Sequence, residues 1–199
     1  MTSPSICLVV NLSALQFFLF AEIALFLPAA HLRAELSSGA TYSLSFVDIN
    51  GNKLSTADGH VTIVVLTTSA DHEEARVVGD HVPDFCLGNP DYRMITVVHF
   101  TARHMAIGRR IATAFIRHRM REAAKRLQTR YDALKISHDA ARDIFVVSDF
   151  DGTVAAQLVE TTGANEFGVF VFSRTGKLLA QWRIVPSAEQ LAAALKQSD

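Results

Sequence analysis

The chain has 199 residues, 49% of them hydrophobic, which suits one globular domain behind an apolar leader, and its formal net charge of −1 by itself points to no class of partner. Its two cysteines, Cys7 and Cys86, exclude a disulfide framework and a metal-type cysteine pair. The charge is unevenly spread: residues 102–135 hold ten Lys or Arg against Glu122 and Asp132, a local +8, leaving −9 on the remainder.

Residues 6–30 are nearly continuous Leu, Phe, Ile, Val and Ala, interrupted by Asn11, Ser13, Gln16 and Glu22. Each of the fourteen Leu, Ile, Val and Phe residues there favours insertion by about 0.3–0.6 kcal/mol, against roughly 3 kcal/mol for the acid. The apolar side wins, so residues 1–34 are expected to act as a signal peptide or an uncleaved membrane anchor. Met1–Ser5 carries no Lys or Arg, and neither Ala30 nor Ala34 closes an Ala-x-Ala site. The expected location is exported or membrane-anchored, in a bacterial periplasm.

Residues 35–40 are small and polar, a linker, and the domain is expected over 41–199. Tyr42–Asp48 alternates apolar and polar and meets a turn at Asn50–Lys53, predicting a hairpin or edge pair. Val61–Thr68 is a β-branched run that breaks into a polar turn and an acidic helix start at Asp71, Glu73 and Glu74. That helix ends before Pro83, and Met94–Phe100 is the next strand, so the unit reads as βαβ with a parallel pair.

A long helix is predicted over 107–134. Ala112, Ile116, Met120, Ala123, Leu127 and Leu134 share one face, while Ile107, Ile111 and Phe115 point elsewhere. Its cations, Arg109, Arg110, Arg117, Arg119, Arg121, Lys125, Arg126 and Arg130, then point mostly to water, ready for anionic lipid or an acidic protein partner. Nucleic acid is not expected, because no aromatic residues are interleaved for base stacking.

Asp143–Ser148 reads as a strand, followed by a short helix over 154–160. Phe167–Ile184 forms a hairpin around Arg174–Lys177, and Pro186–Lys196 a capped C-terminal helix. The string Asp149-Phe150-Asp151-Gly152-Thr153 after its strand is similar to the first motif of haloacid-dehalogenase-type phosphatases, which implies Asp149 as nucleophile and Asp151 as acid/base. The acids that follow it form no pair, and too little chain remains for that family's sheet.

The order of elements, with Phe46-Val47-Asp48-Ile49-Asn50-Gly51 ahead of the core strand, resembles the thioredoxin-like superfamily in its redoxin and peroxiredoxin-like branch. The resemblance covers roughly residues 41–195 and implies a mixed α/β sheet with helices on both faces. It also implies a Cys-x-x-Cys after the first core strand, followed by a basic residue. This chain has His72-Glu73-Glu74-Ala75 and then Arg76, and Ala164-Asn165-Glu166-Phe167 stands where the family has a cis-proline.

With His72 and Ala75 at the redox positions, neither thiol of an exchange reaction is present. Cys86 is the one remaining candidate nucleophile; it sits beside Asp84 and Phe85, with no nearby cation to lower its pKa. Neither a cofactor nor a metal site is expected, since no second His of suitable spacing accompanies His72. The reading is a redox-inactive thioredoxin-like domain that binds an unknown protein or an anionic membrane surface through Arg109, Arg110, Arg117, Arg121, Lys125 and Arg126. The alternatives are a thiol oxidoreductase or one-Cys peroxidase using Cys86, and a phosphatase using Asp149 and Asp151.

Overall fold

Val61–Thr68 (β3) carries β-branched or aliphatic residues at nearly every position and is buried on both faces, as the centre of a parallel sheet requires. In the computed structural model, which describes residues 36–68, 71–100, 106–159 and 167–197, β3 is the middle strand of five. Tyr92–His99 (β4) and Phe145–Asp149 (β5) continue the sheet in parallel on one side, and Gly168–Phe172 (β6) and Leu178–Trp182 (β7) in antiparallel on the other, in the order β5-β4-β3-β6-β7. Ser45–Val47 (β1) and Lys53–Ser55 (β2) form a separate antiparallel pair. The helices are His72–His81 (α1), Ala106–Ala133 (α2), Ala155–Leu158 (α3) and Ala188–Lys196 (α4).

The period-2 alternation of the strands feeds a main core on each face of the sheet, and a smaller cluster of Phe100, Ile116 and Val146 lies under α2. Val64, Leu66, Ile95, Val97, Phe170 and Phe172 meet Leu36, Phe46, Leu54, Ala155 and Leu158, so the hairpin and α3 cover one face. Ile63, Val65, Val169 and Val171 meet Ala75 and Val78 of α1 and Leu191, Ala194 and Leu195 of α4 on the other. The fold is therefore a mixed sheet with helices on both faces. The hairpin is docked onto β5 by Ile49 N–H donating to Val146 O at 2.9 Å, and onto β4 by the buried Arg93. That guanidinium donates to both oxygens of Asp58, to Ser55 O and to Thr62 Oγ1.

Local chemistry sets the ends of the elements. α4 opens on a capping box, Ser187 with Gln190. In the β6–β7 turn Gly176 has φ +82, and a Cβ there would lie 2.3 Å from Tyr42 O, so only glycine fits. β5 starts at Phe145 rather than Asp143, because residues 140–143 form a 3-10 turn whose Ala141 N–H donates to Asp139 Oδ1.

Two expectations are corrected. Residues 36–40 are not a free linker: Leu36 is a core side chain, and Gly39 N–H and Leu178 N–H bond across to Leu178 O and Ala40 O. Leu134 does not belong to the inner face of α2, which ends at Ala133; Leu134 is exposed, and Tyr131 is buried in its stead. The apolar residues 6–30 and the segment 160–166 lie outside the described residues. Among the described residues no helix is long and apolar enough to cross a membrane.

Candidate functional site

The C-terminal end of β3 and the first turn of α1 stand where an open parallel sheet presents reactive groups. Here hydroxyls and an acid close that turn. Thr67 Oγ1 donates to Asp71 O at 3.0 Å and Thr68 Oγ1 to Asp71 Oδ2 at 2.6 Å. His72 is half-buried: its Nε2 lies 3.2 Å from Glu73 Oε1, and its Nδ1 is buried with no hydrogen-bond partner. Ala75, one turn on, faces the core. Arg76 is held along α1 by Glu73 at 2.6 Å and Asp80 at 2.7 Å. The Arg76 guanidinium in turn holds the Glu73 carboxyl below its usual range.

Cys86 lies past the far end of α1, whose ten residues span roughly 15 Å. It is packed among Val78, Val82 and Leu87 and is 7% exposed. Burial pushes its thiol up to about 12, which favours the protonated sulfur over the thiolate at neutral pH.

Between these two points a cavity of about 290 Å³ opens beneath α1 and α2, against the sheet face of β3, β4 and β5. It exists because α2 is fastened at two places and stands away between them. Of the described α2 side chains only Ile116 and Tyr131 are buried; Ile116 packs on Phe100 and Val146. Tyr131 donates to Asp143 Oδ2 and accepts from Gly88 N–H. Arg130 ties the same end to α1 through Gly79 O and to the segment just beyond α1 through Val82 O and Asp84. Met120, Ala123 and Leu127 lie between the anchors, half-buried, facing Met94, Thr96 and Val98 across the space.

The basic residues of α2 do not act as one set. Arg110, Arg117, Arg121 and Lys125 are exposed and fall within roughly 80° of one another around the helix, on the flank away from α1. Arg119 and Arg126 lie on the flank toward α1, at the rim of the cavity, with Arg119 near Glu122 and over the Phe115 ring. Arg109 stands apart, its guanidinium 5.4 Å above the Phe150 ring. Ile111 and Phe115 are exposed large hydrophobes on the same helix.

One polar group was not foreseen from sequence. His99 and Asp149 end the paired strands β4 and β5 in register, with His99 Nδ1 3.2 Å from Asp149 Oδ2. The same Oδ2 accepts from Ala155 N–H at 2.8 Å and so caps α3, while Oδ1 is buried without a partner. The available signal was a polar residue closing each of two apolar parallel strands. Asp149 is thus committed to a buried pair, whereas Asp151 is exposed and turned onto Thr153, whose hydroxyl and N–H lower its pKa. The Asp149 side chain also contributes to that lowering, but it is buried beside His99 while Asp151 is exposed, so the two acids do not open together to solvent. Among the described residues no group of three His, Cys, Asp or Glu is placed to hold a metal ion.

The sequence matches no family model and no curated protein. Among solved structures, a thiol:disulfide interchange protein of the thioredoxin family from Chlorobium tepidum aligns with 83% of this chain and 99% of its own, at 12% identity and a TM-score of 0.52. The pneumococcal exposed lipoprotein thioredoxin from Streptococcus pneumoniae aligns with 78% of this chain and 99% of its own, at 15% identity and a TM-score of 0.49. A peroxiredoxin-like protein from Aquifex aeolicus aligns with 83% and 90%, at 15% and 0.47. With the five-stranded mixed sheet and its flanking helices, the Chlorobium likeness shows that this chain has a thioredoxin-like fold.

Proposed function

We propose that this is a redox-inactive thioredoxin-like domain, exported or held at a membrane, that works by binding, with the outer flank of α2 resting on an anionic membrane surface. The observation that carries the reading is the exposed stripe of Arg110, Arg117, Arg121 and Lys125, which form no ion pair among the described residues, while Arg76 of α1 holds two acids. Ile111, 67% exposed, adds an apolar contact of the kind interfacial helices insert. The apolar residues 6–30 support a site of action beside a membrane, outside the cytoplasm. Support for the absence of thiol chemistry comes from His72 and Ala75 at α1 and from the buried Cys86.

Each cation near an anionic surface contributes about 1 kcal/mol. Sedimentation with vesicles tests the reading, using Ala34–Asp199, which forms one compact unit. It is expected to bind phosphatidylglycerol vesicles in preference to phosphatidylcholine, and Arg117→Gln/Arg121→Gln/Lys125→Gln to bind about 100-fold more weakly. Equal binding to both lipids, or an unaffected triple variant, contradicts it; in that case an acidic protein becomes the partner to seek.

A further inference from the structure

We infer that the cavity beneath α2 is a binding site for a free fatty acid, its tail laid against the sheet and its carboxylate at Arg126. This goes beyond the membrane-docking reading, because it uses the opposite flank of α2 and stands whether or not the outer flank meets lipid.

Size, lining and charge lead to this occupant. At about 290 Å³ the space lies near the lower end of small-molecule sites, roughly 300–1,000 Å³, so it takes one chain rather than two. Met94, Val98, Ile116, Met120 and Leu127 offer an unbranched tail flexible, apolar walls. At the rim, Arg76 is engaged by Glu73 and Asp80, and Arg130 by Asp84 and three backbone carbonyls. Arg126 is exposed there and forms no ion pair among the described residues. The His72 end is the wrong place for an anionic head, since Glu73 Oε1 lies 3.2 Å from His72 Nε2 and Asp71 and Glu74 share the same helical turn. Head at Arg126 and tail toward Phe100 is the arrangement that avoids those acids.

The test is photo-crosslinking of the full chain with a diazirine-bearing dodecanoate, followed by peptide mapping, so that labelling of the cavity is separated from labelling of residues 1–33. The expected label falls on the peptides bearing Met94 and Met120. Gly79→Leu should abolish it: Gly79 lines the space, and a Cβ there would make only an ordinary contact with Met94 Cε at 3.8 Å, so bulk can be added from this side of the cavity. Arg126→Gln, an exposed change that leaves folding intact, should weaken labelling by dodecanoate at least ten-fold, spare the matching diazirine alcohol, and be rescued by Arg126→Lys. No label in the cavity, label that survives Gly79→Leu, or equal loss of acid and alcohol in Arg126→Gln each overturn the inference.

Discussion

Asp58→Ala is expected to cost about 3 kcal/mol of folding stability, near the low end of the roughly 3–5 kcal/mol seen when a buried pair loses one partner. The Arg93 side chain is 6% exposed and that of Asp58 32%, so the cation rather than the acid is stranded by the change. Exposed pairs are worth at most about 1 kcal/mol; the depth of Arg93 is what decides between the two magnitudes. Burial alone would raise the Asp58 carboxyl. The hydrogen bonds from Arg93 and His60 and the charge of Arg93 outweigh it and bring the pKa from 3.8 to about 2. A depressed carboxylate contributes stability that is fully present above its unfolded value and is lost as pH falls through the folded one. Urea unfolding between pH 7 and pH 2 should therefore show the wild-type advantage over Asp58→Ala intact down to about pH 4 and shrinking toward pH 2. An advantage that does not change across that window contradicts the pairing.

Tyr131→Ala is expected to cost about 3–5 kcal/mol, the range for removing a buried aromatic side chain. The ring is 1% exposed, and its hydroxyl bridges Asp143 Oδ2 at 2.5 Å and Gly88 N–H at 2.9 Å. Burial, reinforced by the Asp143 carboxylate, raises the phenol pKa further above its ordinary value, so it stays a neutral donor. Tyr131→Phe keeps the packing but leaves Gly88 N–H unpaired, at about 1–3 kcal/mol. Because Tyr131 is the C-terminal fastening of α2, hydrogen exchange in the last turns of that helix should accelerate in both variants before β3 loosens. Uniform acceleration across the domain would mean that α2 is no separate strap.

The strands and the order of elements were legible because β-branched runs and a period-2 pattern are local signals. The inner face of α2 was mostly legible for the same reason: Ile116, Met120, Ala123 and Leu127 follow the helical period. Tyr131 continues that row four residues after Leu127, yet an apolar Leu134 is the more conspicuous residue on sequence grounds; Lys135, at φ +58, turns the chain away just beyond it. Arg93 stands just ahead of the expected strand Met94–Phe100 and carries no local signal; it falls inside β4, and Asp58, 35 positions earlier, folds back beside it. His99 and Asp149 meet through strand register, and the cavity through the stand-off of a helix held at two points, and neither is written in local pattern. The cations of α2 were legible as a group but not as two flanks with different neighbours.

A thioredoxin-like fold has kept its frame here while the first turn of α1 holds His72 and Ala75, and the buried Cys86 lies elsewhere. The most direct measurement of that claim is thiol-dependent turnover of hydrogen peroxide by Ala34–Asp199, with insulin reduction in parallel and Cys86→Ser as the control. The expected result is no turnover above background in either assay and no difference between the wild type and Cys86→Ser. Turnover that disappears in Cys86→Ser would contradict the account and make Cys86 the nucleophile of a one-Cys peroxidase.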